Sequence, residues 1–305
     1  MRRWIALAAC LLPAQDAPSI RVDVHVVNVA CTVRDRDGAL INDLGQGDFE
    51  IRENGAPQTV RYFARRLDQP LTVGLLLDYS GSQRRFIERH RADAVRFLRQ
   101  VLHQGDHAVV VGFTGRLRLL FDLSGAVDPL EETLARASSD FPAFPLFGPR
   151  DRRFGGTAFR DAVFHAARIK LKPEPGRKAL LILTDGMDNA SRHKLSDAIE
   201  AAQSADAIVY CISYQPSRLL PSRPGVAARK AMNRLAGDTG GRVFDAAREE
   251  MPRIFQQIEE ELRSTYELGY VSNSPRKDGK FRKIEVLVKR PGLKVRARKG
   301  YYPAD

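Results

Sequence analysis

Leu71-Thr72-Val73-Gly74-Leu75-Leu76-Leu77 runs directly into Asp78-Tyr79-Ser80-Gly81-Ser82. The first seven residues are a nearly unbroken apolar run. Such a run reads as a strand buried on both faces, as strands inside a parallel sheet are. The five that follow are turn-forming and polar, with Asp78, Ser80 and Ser82 at alternate positions. Alternate side chains of an extended chain point to one side, so three oxygen-bearing groups leave the strand end together.

Outward from this stretch the texture repeats. Residues 86–102 read as an amphipathic helix, 108–113 and 117–121 as strands, 129–137 and 157–171 as helices. Strands follow at 179–183, 207–212 and 242–244, alternating with helices at 194–204, 226–237 and 251–265. This alternation predicts an α/β fold with a doubly wound, mainly parallel sheet. Both ends of the chain differ. Residues 20–33 alternate with the period of a half-buried strand, and residues 49–53 lead into Asn54-Gly55, the strongest short hairpin signal. Strands are also predicted at 60–63, 266–271, 281–288 and 294–298. The economical architecture is a β-rich flank at 18–68 packed with a second at 266–305. A domain of residues 69–265 is then inserted between them, which is permissible because domain termini often lie close together.

The chain has 305 residues, 43% hydrophobic and 28% charged, an ordinary globular composition. No apolar run reaches the ~18 residues of a spanning helix. Met1-Arg2-Arg3, an apolar stretch to Leu12 and a small residue at Ala14 read as a signal peptide over residues 1–17. The expected location is therefore exported: periplasmic, secreted or envelope-associated. Leu7-Ala8-Ala9-Cys10 also resembles a lipobox, the alternative being a lipid anchor at Cys10. Of the other cysteines, Cys31 and Cys211 sit in apolar strand-like runs and read as buried free thiols. The formal charge is +12, which favours acidic partners; export turns that preference away from nucleic acid. The basic run at 276–299 reads as a solvated face or as a contact with an anionic envelope surface.

Two further segments bring oxygen atoms to strand ends. Gly155-Gly156-Thr157 opens a helix, and Thr184-Asp185-Gly186 closes an apolar strand. Ligands of open α/β sheets bind in the crevice beyond the carboxyl ends of the strands, where all three segments can meet. Asp78, Ser80, Ser82, Thr157 and Asp185 make an all-oxygen set with two carboxylates. Such a set suits a hard dication, Mg²⁺ first, Mn²⁺ or Ca²⁺ next. It leaves coordination positions for water or an outside carboxylate. The loop ahead of Gly155 carries Phe144, Phe147, Arg150 and Phe154, read either as a partner-binding rim, because aromatics and Arg are favoured at interface hot spots, or as a loop folded onto its own domain.

Asp-x-Ser-x-Ser, Gly-Gly-Thr and Thr-Asp-Gly, in that order and each at a strand end or helix start, resemble the metal-ion-dependent adhesion site (MIDAS) of von Willebrand factor type A (VWA) domains. The 48–55, 266–270 and 300–302 segments resemble a bacterial family of exported VWFA-related proteins. The resemblance implies direct metal contacts from Ser80 and Ser82, a contact from Thr157 in the ligand-bound state, and mostly water-mediated roles for Asp78 and Asp185. It gives Tyr79 and Gln83 no ligand role, and Asp188 reads as solvated surface, the alternative being support of the site from behind its ligands. It implies an adhesion-type, non-enzymatic module whose cation accepts a Glu or Asp of a protein partner. A Mg²⁺-dependent hydrolase is the alternative, but no His, Lys or Cys base stands at motif spacing and no Walker-type loop is present. A nucleic-acid-binding VWA protein is a further alternative for a chain that is not exported.

Overall fold

The computed structural model describes residues 26–65, 69–139, 141–148, 155–214, 223–274 and 280–303. The leader read over residues 1–17, with Cys10, lies outside the described residues, as do Arg150 and Phe154. The chain begins with β1 (Val26–Arg34), β2 (Phe49–Glu53), β3 (Ala56–Gln58) and β4 (Val60–Arg65). It continues through β5 (Leu71–Asp78), α1 (Ile87–Val101), β6 (His107–Phe113), β7 (Leu117–Ser124), α2 (Asp128–Ser139) and β8 (Leu146–Phe147). Next come α3 (Phe159–His165), β9 (Arg177–Thr184), α4 (Leu195–Ser204), β10 (Ala207–Ser213), α5 (Arg223–Thr239), β11 (Val243–Asp245) and α6 (Met251–Arg263). It closes with β12 (Tyr266–Val271), β13 (Arg282–Val288), β14 (Lys294–Ala297) and β15 (Gly300–Tyr301).

Among the described residues three sheets form, the largest in the order β11-β10-β9-β5-β6-β7-β8. The pairs from β11 through to β6 are parallel; β7 and β8 run antiparallel at one edge. All eight positions of β5 are buried, as the apolar run predicted. Its side chains divide by parity. Val73, Leu75 and Leu77 face a core shared with α1, α2 and α6, whereas Leu76 faces one shared with α3, α4 and α5. Each such Leu or Val contributes about 1.5–3 kcal/mol when taken fully out of water. The sheet is therefore doubly covered. The chain winds outward from β5 to β7, then returns to β9 and winds the other way, making β5 the switch point.

Three local expectations change. Residues Gly81–Phe86 form a 3-10 turn, so α1 proper starts at Ile87. The helix expected from residue 157 starts at Phe159 and widens over Ala166–Leu171, where Lys172 N–H donates to Ala167 O. The loop expected over residues 141–154 contains β8, which extends the sheet beside β7.

Strands from the two chain ends pair with each other. β1 lies between β14 and β12, with Val29 opposite Leu268, and β4 completes that sheet. β2 pairs with β13, with Ile51 opposite Val286, in the third sheet. Asn54 and Gly55 make the tight turn between β2 and β3 with φ of 50° and 84°, the left-handed pair that a two-residue hairpin requires. Val29, Val33, Leu44, Ile51, Tyr266, Leu268 and Tyr270 form one core from both segments. Cys31 and Cys211 are buried free thiols, and burial pushes both pKa values up.

The basic C-terminal run keeps Lys283, Lys289, Arg290, Lys294 and Lys299 exposed, as a solvated face would, but part of its charge is paired inside the molecule. Arg282 is buried against Glu53, Arg290 pairs with Asp43, Arg296 approaches Glu261, Arg298 pairs with Asp206 and Lys299 with Asp238. The partners lie far away in sequence, which is why a local count of charges missed them.

Candidate functional site

The carboxyl ends of β5 and β9 lie side by side, because the two strands pair in parallel from Leu71↔Arg177 to Leu77↔Leu183. Asp78 is the last residue of β5, and Asp185 follows the last residue of β9. Topology thus delivers two carboxylates to one point. Asp78 is fully buried. Its Oδ1 accepts from the Ser80 amide at 2.9 Å and its Oδ2 from the Thr184 hydroxyl at 2.6 Å. Both donors are neutral. Burial therefore dominates, and, with the Asp185 charge nearby, it pushes the Asp78 carboxyl up to about 6 despite these hydrogen bonds.

Ser80 and Ser82 leave β5 on one side, and their hydroxyl oxygens lie 3.1 Å apart. Ser80 is buried, whereas Ser82 is exposed, so the pair spans the wall and the mouth of the site. Asp185 Oδ1 accepts from the Met187 amide at 2.9 Å, and its Oδ2 accepts from the Gln83 side-chain amide at 2.9 Å. Thr184 is held in turn by the Gly186 amide at 3.0 Å. Asp78, Ser80, Ser82 and Asp185 therefore belong to one connected group.

Thr157 is clamped to the loop that follows Asp185. Its amide donates to Asn189 Oδ1 at 2.8 Å, and its carbonyl accepts from the Asn189 and Ala190 amides at 3.1 Å each. Gly156 has φ 84°, and a Cβ there would stand 2.6 Å from Asn189 Oδ1; only glycine permits both the turn and the approach. Asp188 strengthens the same clamp. Read as surface, it is instead half-buried, and it accepts from the Arg160 amide and guanidinium at 2.8 Å each and from the Ser191 hydroxyl at 2.6 Å. Burial pushes its carboxyl up, but these donors outweigh burial and hold it below the usual range. Asp188 thereby ties the first turn of α3, and Thr157 with it, to the loop that carries Asp185.

Three residues that sequence reasoning passed over matter here: Gln83, Thr184 and Asn189. Thr184 stood inside a quoted motif, and its strand-end position was the available signal. Gln83 and Asn189 carried none, since their contacts cross the gap between β5 and the loop after β9.

The expected rim divides. Phe144 and Phe147 are only 3% and 6% exposed, so they do not form a contact rim. Phe144 packs in the core beside α2 with the Arg136 guanidinium over its ring, and Phe147 packs in the core on the other side of the sheet. The physical reason is β8. Pairing Leu146 and Phe147 to β7 pulls the loop onto the sheet edge and turns its aromatics inward. Phe141 stacks on Tyr79, the residue between Asp78 and Ser80, with centroids 4.6 Å apart. Leu146 is the exposed large hydrophobic among the described residues of this segment, at 40%.

The donor set fits a hard dication. It offers carboxylates and hydroxyls and no soft ligand, and Gln83 Oε1 is buried beside it without a hydrogen-bond partner. Among the described residues no three His, Cys, Asp or Glu side chains gather as a metal site; this set has two carboxylates, and its remaining oxygens are hydroxyls.

No family model matches the chain, and no curated protein matches it. Solved structures do resemble it in part. A minor pilin, PilB, from Streptococcus sanguinis aligns over 65% of this chain and 62% of its own, at 14% identity and TM-score 0.46. Proximal thread matrix protein 1 from the mussel byssus, with a zinc-occupied MIDAS motif, aligns over 70% and 50%, at 13% identity and TM-score 0.49. The vWF domain of the type V pili tip protein Mfa5 from Porphyromonas gingivalis aligns over 62% and 95%, at 13% identity and TM-score 0.45. The chain thus spans about half to two thirds of the length of the first two. A central β5 flanked by β6 and β9, an antiparallel β7 and helices on both faces give the α/β unit a VWA-like fold.

Proposed function

We propose that this protein is an exported, cation-dependent protein-binding module of the adhesion type, without enzymatic activity. The observation that carries the reading is the meeting of Asp78, Ser80, Ser82 and Asp185 where β5 and β9 end, with Thr157 clamped to the same loop. In this reading the five side chains hold one Mg²⁺, with Mn²⁺ and Ca²⁺ as the next ions the oxygen set suits. A bound dication supplies a Lewis-acidic position for a carboxylate. The chain's own residues do the rest. Ser80 and Ser82 supply neutral oxygens, so the site keeps a net attraction for a negative ligand. Thr184 and Gln83 fix the carboxylates, and Asn189 fixes Thr157. The partner then offers a Glu or Asp at the mouth formed by Ser82.

We also read the paired strands of residues 26–65 and 266–301 as one discontinuous β domain carrying the α/β unit. Export rests on the Arg2-Arg3 leader.

Isothermal titration of Mg²⁺ into the wild type and Asp78→Ala tests the site. One binding event in the wild type, lost in the variant, is the expected result. Equal isotherms, or none in the wild type, would reject the metal reading. A pull-down from envelope extract with Mg²⁺ or EDTA then tests the partner, which should be retained only with the ion.

A further inference from the structure

Two and three residues after Ser82 the chain carries Arg84 and Arg85, both exposed. Most arginines around them are paired: Arg91 with Glu88 at 2.9 Å and Arg89 with Asp93 at 3.6 Å. Among the described residues neither Arg84 nor Arg85 has a carboxylate within ion-pair distance; Arg85 lies over the ring of its neighbour Phe86, 4.7 Å from the centroid. They sit in the 3-10 turn Gly81–Phe86. In that geometry residues three apart eclipse one another and rise about 6 Å along the axis. Ser82 and Arg85 therefore stand in one row, and so do Gly81 and Arg84. Two unneutralised guanidiniums thus flank the mouth, displaced from it in a defined direction.

We propose that Arg84 and Arg85 are a second contact of the site and that its partner segment is an extended strand with acidic residues at alternate positions. In an extended chain, side chains at i and i+2 share a face and lie about 6.6 Å apart, close to the Ser82–Arg85 rise. One carboxylate addresses the Ser82 mouth while the other reaches the arginine pair, where planar guanidinium forks match a carboxylate. Adjacent acidic residues do not serve, because an extended chain sends them to opposite faces. This inference rests on the proposed acidic-ligand reading and adds its spacing rule.

Fluorescence polarisation with three labelled, Thr-based heptapeptides in Mg²⁺ tests it. One carries Glu at alternate positions, one carries two adjacent Glu, and one carries a single Glu. The wild type should bind the alternating peptide about fivefold tighter than the charge-matched adjacent peptide. This is the scale of one to two solvent-exposed ion pairs. In Arg84→Ser/Arg85→Ser the preference should vanish, while the Mg²⁺ isotherm and melting temperature stay at wild-type values. A preference that survives in the double variant, or its absence from the wild type, overturns the inference. The metal reading fails separately: a wild type that takes up no Mg²⁺, or peptide binding indifferent to EDTA, rejects that reading. The peptide preference and its loss in the variant still decide the arginine pair.

Discussion

Two kinds of buried carboxylate, with opposite surroundings, stand out among the described residues. Where α6 meets the flanking strands, Glu261 is 1% exposed and its Oε1 faces Arg34 at 2.9 Å, Arg242 at 3.1 Å and Arg296 at 3.6 Å. In the β core Glu53, 3% exposed, takes hydrogen bonds from Tyr270 and Ser272 at 2.7 Å each and faces Arg282 at 3.3 Å. At the end of β5, Asp78 is as deeply buried, yet its partners are neutral: the Ser80 amide and hydroxyl and the Thr184 hydroxyl. A buried charge is expensive unless it is paired. The fold neutralises Glu261 and Glu53 with its own cations; at Asp78 it leaves the negative charge for something else to neutralise. The first kind of carboxylate is structural; the second is the kind the proposed cation would neutralise.

The contrast is breakable by experiment. The largest effect should come from Glu261→Ala. Removing one partner of a buried ion pair strands the other, so urea denaturation should show a loss of about 3 kcal/mol, softened toward the lower end of the usual range because the three arginines are partly exposed. A loss under 1 kcal/mol would mean that solvent already serves those guanidiniums. Asp78→Asn should act with the opposite sign. In metal-free protein at pH 8 it removes an uncompensated charge, and the Thr184 hydroxyl can turn to accept from the new amide. A gain of about 1–3 kcal/mol is expected, together with loss of Mg²⁺ binding. Destabilisation by Asp78→Asn would place Asp78 with Glu261 and remove the contrast.

The same physics fixes a pH dependence. With Asp78 titrating near 6 in the fold against an ordinary 3.8, the native state holds its proton more tightly than the unfolded chain does. Metal-free stability from this group is then fully present below about pH 4 and is lost as pH rises through 6. Wild-type protein in EDTA should weaken over that window, and Asp78→Asn should not. Mg²⁺ uptake should fall below pH 6, since a protonated carboxyl is no ligand. The smallest effect is stabilisation by the ion itself. At ten to a hundred times its Kd, Mg²⁺ should add about 1.4–2.7 kcal/mol, read as a rise in Tm that Asp78→Asn abolishes.

Much of this was legible in the residues themselves. β5 needed only its apolar run, because a strand buried on both faces has no polar side to show. The β2–β3 hairpin needed only Asn54-Gly55, since few residues accept two successive left-handed positions. The five candidate ligands could be named because each sits where a strand ends or a helix begins, and such positions are set by local pattern. What stayed hidden depends on contacts between distant segments. Phe144 and Phe147 looked like a rim because an aromatic in a loop has the same local signature whether it faces solvent or core; β8 pairing decided the matter. Asp188 looked like surface because Arg160, which buries it, lies 28 residues away.

By itself the sequence determined the alternation of strands and helices, the buried central strand and the identity of the oxygen-bearing side chains at its end, all consequences of periodicity and of turn chemistry. Only the tertiary structure decided which charges are spent inside the molecule and which remain available. Arg282, Arg290, Arg296, Arg298 and Lys299 of the C-terminal run meet acids from other segments, while Asp78 meets only neutral donors and, among the described residues, Arg84 and Arg85 meet no carboxylate. The physical reason is that an ion pair is a distance in space, and the chain reveals that distance only after it has folded.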